Sequence, residues 1–196
     1  MLTQGDLSMK KSFFNSDRGQ AAVETAFVMP FLLFLYFSMQ DLTALITYNR
    51  RITATAATVG DTVSQYSTTM LKSDVDDIFN SVSMIMSPTP AADVHVDVYD
   101  YYMNGPTVTK RWSHGNGNGP TCSAPNTSNF ANLMLNGNDL VVGVACMNYT
   151  PYIATFMGTN LLGSTSFLLN QTVTTRPRTS LSLNCVTAKG GSTVCT

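Results

Sequence analysis

Residues 21–40 read AAVETAFVMPFLLFLYFSMQ, and Glu24 is the only charged residue among them. A helix needs about 20 mainly apolar residues to cross a hydrocarbon core, so this stretch has the length and composition of a transmembrane segment. Lys10, Lys11 and Arg18 precede it, which favours a cytoplasmic N-terminus and an external C-terminus; Arg50 and Arg51 behind it weaken that bias. A secretory signal peptide is the competing reading, but no convincing A-x-A cleavage site follows the run. Pro30 removes one backbone hydrogen bond inside the segment and predicts a kink of the kind membrane helices tolerate.

Beyond the segment, Leu45, Tyr48, Ile52, Ala56, Val59, Val63 and Tyr66 recur at steps of three and four, the spacing of one helical face. Thr53, Thr55, Thr58, Asp61 and Thr62 form a polar opposite face, so the helix is expected to leave the bilayer as a stalk. Helical from Ala21 to Tyr66, it would extend roughly 70 Å, with Gly60 as its weak point. Ser73 followed by Asp76 predicts a capping box that opens a second helix. The apolar stripe of that helix, Val75, Ile78, Phe79, Val82, Ile85 and Met86, reads as a core face, and Pro88 and Pro90 end it.

Strands come next. Between Asp93 and Tyr99 valines alternate with polar residues, and Thr107–Ser113, Asp139–Met147 and Ser166–Thr175 supply three more candidates, with an irregular stretch over 149–163. The alternation places Asp93, His95 and Asp97 on one face. These are metal-ligating residue types, but a solvated strand face accounts for them equally well, and no metal is assigned. Residues 115–120, GNGNGP, lack the Lys-Ser/Thr ending of a phosphate-binding loop and read as a flexible surface turn.

Charged residues make up 12% of the 196-residue chain and the net charge is −1, which leaves no basic face for nucleic acid. Cys122, Cys146, Cys185 and Cys195 form no C-x-x-C pair, and their even number in an exported domain points to two disulfides. Three connectivities are possible; Cys122 with Cys146 and Cys185 with Cys195 is favoured because each closes a local loop. His95 and His114 have neither zinc-ligand spacing to the cysteines nor a nucleophile motif around them. The chain is therefore read as a non-enzyme without cofactor, and an anchored periplasmic hydrolase is the weakest of the competing functions.

Glu24 requires a physical account, because an ionised carboxylate near a bilayer centre costs about 2.5–3.5 kcal/mol. Placement at the headgroup level is one. The other comes from its context, Arg18-Gly19-Gln20-Ala21-Ala22-Val23-Glu24, which resembles the processing site of type IV prepilins. That resemblance implies cleavage between Gly19 and Gln20 by a membrane-bound prepilin peptidase. Glu24, as the fifth mature residue, would then pair with the new α-amino group of Gln20 or of a neighbouring subunit and set the register between helices.

Further along, VGVACMNYTPY at 142–152 leads through Phe156 and Leu161 to QTVTTRPR at 171–178. Together with VGDTVSQY, DDIFNSVSMIMSP and KRWS upstream, this order is similar to that of TadE-like minor pseudopilins and covers most of 18–178. The resemblance implies an assembly subunit of a tight-adherence (Tad/Flp) pilus machine. Its expected partners are the prepilin peptidase, other minor pseudopilins, the major Flp pilin, inner-membrane platform proteins and membrane lipid. Its expected location is the inner membrane, single-pass, with the C-terminal domain in the periplasm. The expected organisation is a leader over 1–19, which begins at Met1 or at Met9, a transmembrane helix over 20–45, a stalk over 46–68 and a head over 69–196. The expected fold class is α+β: a long N-terminal helix followed by a small antiparallel-sheet head with one packed helix and disulfides. A single-pass surface adhesin, with function in its Asn- and Thr-rich loops, is the alternative.

Overall fold

A computed structural model describes residues 17–67, 69–134, 137–157, 166–178, 182–187 and 195. Both candidate start residues, Met1 and Met9, and Leu161 lie outside them. The chain divides after Ala44 into two compact units. One helix, α1 (Asp17–Ser64), contributes to both, and Pro30 lies within it.

In the first unit α1 is long and apolar enough to cross a membrane, and none of that apolar window is buried. Phe27 is 79% and Met39 73% exposed. The hydroxyls of Thr25, Ser38 and Thr43 donate to the carbonyls of Ala21, Phe34 and Met39 one turn earlier. Each polar side chain of this kind is thus satisfied inside its own helix, as a medium without water demands.

The second unit begins at Leu45 and continues through β1 (Thr69–Leu71), α2 (Lys72–Met86), β2 (Val94–Asn104), β3 (Thr107–Gly115), β4 (Asp139–Tyr149), α3 (Tyr152–Met157), β5 (Phe167–Thr175) and β6 (Asn184–Val186). Strands β2 to β5 form an antiparallel sheet in the order β3-β2-β4-β5, and β1 pairs in parallel with β6. With the disulfides Cys122–Cys146 and Cys185–Cys195, this is an α+β fold.

The sheet carries a core on each face. On one, Val94, Val96 and Val98 of β2 and Val141, Ala145 and Met147 of β4 pack against α1 and α2. On the other, Leu140, Val142, Val144 and Cys146 of β4 pack with Tyr101, Cys122 and the short 3-10 segment Thr127–Asn132 through Phe130. Strand β4 is central and covered on both sides, which is why its sequence runs apolar without alternation.

Several expectations need correction. The stretch read as a stalk is a core element: Ile52, Ala56, Val59 and Val63 are fully buried in the head. Thr55, assigned to the polar face, is fully buried as well. Gly60 is a point of close approach. A Cβ there would lie 3.3 Å from Thr175 Oγ1 and 3.5 Å from the Gly143 amide, and one on Gly143 would strike the Ala56 carbonyl. Two facing glycines let helix and strand backbones meet.

The N-cap of α2 is Leu71, two residues before the expected Ser73. Asp74 accepts the Leu71 N–H at 3.2 Å, and Ser73 lies inside the helix. Leucine has no side-chain acceptor, so only this half of a capping box is made. The irregular stretch contains α3, and the parallel pair β1–β6 was not expected from pattern, since three-residue strands carry no periodicity. The glycine-rich loop is fixed rather than loose. Asn116 accepts from the Val96 N–H and donates to the Val94 carbonyl, which continues the edge of β2.

Candidate functional site

The residues singled out by sequence fall into two places. Gly19 and Gln20 lie in the first turn of α1, and Glu24 follows Gln20 by about one helical turn. The four cysteines all lie in the second unit, where they form the two local pairs. Cys122–Cys146 ties the segment after the glycine-rich loop to β4, across a separation of 24 residues. Cys185–Cys195 closes a span of 10 at the C-terminal end.

His95 and Asp97 do meet: His95 Nε2 lies 3.1 Å from Asp97 Oδ1, and Cys122 is the third ligand-type residue beside them. The sulfur of Cys122 is bonded to Cys146, so it offers no thiolate. Asp93 lies outside the strand, in a short 3-10 turn, and does not join the group. Asp97 also accepts from the Tyr99 hydroxyl at 3.2 Å; burial, followed by the charge of Asp97, pushes that phenol up to about 12. The arrangement orders one face of β2 and its loop.

A second polar cluster was not foreseen. Asp100 and Asp139 are both buried, and Arg111 reaches both, with Nε 3.3 Å from Asp100 Oδ2 and Nη2 2.8 Å from Asp139 Oδ1. Arg111 gets there through a bulge. The β2–β3 register passes from Asp100↔Trp112 to Tyr101↔Lys110, so Arg111 has no partner and its side chain is re-aimed. Its guanidinium stacks over Tyr102, 4.8 Å from the ring centre.

Burial pushes the Asp100 carboxyl up to about 8, reinforced by the charge of Asp139 and opposed by Arg111. Burial also raises Asp139, against the Leu183 amide and Arg111. The two acids titrate as a pair, and Asp100 holds the proton, since Asp139 accepts from both Arg111 and the Leu183 N–H, the latter at 2.7 Å. Trp112 Nε1 donates to the Leu183 carbonyl at 3.0 Å, so both backbone groups of Leu183 are gripped just before β6. The signal was present in the sequence: Asp100 is in phase with Val94, Val96 and Val98, on the inward side of β2.

The R-P-R sequence after β5 has a mechanical role too. Arg178 Nη2 pairs with Asp61 of α1 at 2.9 Å, its amide donates to the Ser64 carbonyl, and Arg176 reaches the Leu133 carbonyl. These contacts fasten the end of β5 to α1 and to the segment covering the second core. Neither polar cluster presents an activated nucleophile beside a base; both hold chain segments together. No family model, curated protein or solved structure matches the chain.

Proposed function

We propose that this chain is a membrane-anchored structural subunit of a tight-adherence pilus assembly machine, a TadE-like minor pseudopilin. The observation that carries the reading is the division of labour along α1. Its first half is apolar and exposed, whereas its second half is buried in a disulfide-bearing head. A cleaved signal sequence would have no need to continue unbroken into the core of the domain it exports. A pilin-type subunit needs just that continuity, because lateral association of anchor helices must be transmitted to the heads.

On this reading the prepilin peptidase cuts between Gly19 and Gln20, and the new amine lies one turn from Glu24, within reach of a charge-assisted contact. The head faces the periplasm, where its disulfides persist. Its partners are other minor pseudopilins, the major Flp pilin and the inner-membrane platform, and no catalytic step is involved.

Mass spectrometry of the protein recovered from membranes with its peptidase present is the test. A chain beginning at Gln20, free or methylated, is expected. An intact leader on a membrane-bound chain would favour the single-pass adhesin instead.

A further inference from the structure

Three of the large apolar side chains left exposed on the head lie together at one end of its sheet, whereas Met84 on α2 and Leu133 at the far end are exposed singly. Tyr152 is 63%, Phe167 54% and Leu168 44% exposed. The ladder places the last two beside Tyr149 and Asn148, at the end of β4 and the start of β5. Tyr48 of α1 stands at the same end, its ring 5.6 Å from that of Tyr149, and Gln171 donates to Asn49 at 2.8 Å. Tyr48, Tyr149 and Tyr152, with Pro88 and Pro90, line an open cleft of about 360 Å³. The opposite end of the sheet is ionic, with Asp61, Arg176 and Arg178.

We propose that this tyrosine-rich end is a membrane-contact surface that settles into the headgroup layer of an anionic phospholipid bilayer. The inference rests on the anchored reading above. Two observations choose lipid over another protein. Tyr48 stands only four positions past Ala44, where the apolar unit ends, a span of about 6 Å along a helix. The ring–hydroxyl chemistry of tyrosine, with a flanking basic pair, is also the composition that interfaces favour. Arg50 is exposed there and Arg51 donates to the Ser87 carbonyl beside the cleft; Asp93 is the acid on its lining. Phe167 and Leu168 then lie in a layer that accepts apolar groups instead of in open water.

The test uses the full chain in vesicles of phosphatidylethanolamine and phosphatidylglycerol with acyl chains brominated near the headgroups. Tryptophan is introduced as Phe167→Trp or, at the far end, as Leu133→Trp, and each emission is compared with that of the unsubstituted chain, whose Trp112 is buried. About twofold quenching at position 167 and none at 133 is expected if the interface holds this end. Equal emission from both positions, in chain that floats with the vesicles, overturns the inference and leaves the anchor standing. A tryptophan at 167 shielded from both brominated lipid and aqueous acrylamide means that protein covers the patch, which also overturns it. A chain that fails to float overturns the anchor and this inference together.

Discussion

The two halves of α1 share a backbone conformation and differ in almost everything else. Between Ala21 and Ala44 large apolar side chains such as Phe27, Phe31 and Met39 are exposed, and small hydroxyl side chains fold back onto the helix. Between Leu45 and Ser64 the core-facing residues Ile52, Ala56, Val59 and Val63 are smaller and fully buried, with Gly60 set against Gly143. A helix in lipid needs bulk on all sides and no partner. A helix in a core needs one narrow face shaped to its neighbour.

The sharpest way to break this comparison is to put one methyl group into the close approach. Gly143→Ala drives a Cβ into the Ala56 carbonyl and to 3.1 Å from the Gly60 amide. Backbone cannot yield as a side-chain tip does, so a loss of about 3 kcal/mol or more in head stability is expected by denaturant titration. Retained stability would mean that helix and strand are not in contact.

Next in size is Arg111→Ala, which leaves Asp100 and Asp139 buried without their cation. A loss of about 3 kcal/mol is expected in the same titration. Loss of the Cys185–Cys195 bond, by replacing both residues with serine, should cost about 2–3 kcal/mol, since its loop is short. Protease sensitivity confined to the C-terminal segment would locate the effect.

The acid pair predicts an effect graded with pH. The folded-state value of Asp100 lies above that of the unfolded chain, so folding retains a proton that unfolding releases. Its contribution is complete below about pH 4 and is lost as pH rises through about 8. The melting temperature of the head should therefore fall between pH 5 and 9, and Asp100→Asn, neutral throughout, should flatten that slope. A slope unchanged in the variant would remove Asp100 as its source. Smallest of all is Leu33→Ala, which changes a side chain 49% exposed in the outer half of α1. It should shift head stability by no more than about 0.5 kcal/mol. A shift comparable to that of Gly143→Ala would dissolve the distinction between the two halves.

Most of the fold was legible because its elements are long or strictly periodic. The apolar run, the stripe of α2, the alternation of β2 and the apolar stretch of β4 each carry a repeating pattern with a physical cause. The candidate site was legible in part. Glu24 stands out because a charge in an apolar helix is costly, and the local cysteine pairs follow from loop length. Asp100, by contrast, differs from Asp97 only in strand phase, which it shares with the inward Val94, Val96 and Val98. The expected cap at Ser73 failed because Asp74 serves the Leu71 amide, two residues nearer the N-terminus. The expected weakness at Gly60 failed because its neighbour is distant in sequence.

Hydropathy and periodicity belong to a residue and its near neighbours, so the sequence by itself determined that an apolar helix leads a mixed α and β domain with paired cysteines. Where α1 stops being free and becomes core depends on which strand meets it, and that a bulge turns Arg111 toward two acids depends on the register between strands. Only the tertiary structure decided these, because contacts between distant residues are fixed by shape and by the need to satisfy buried charge.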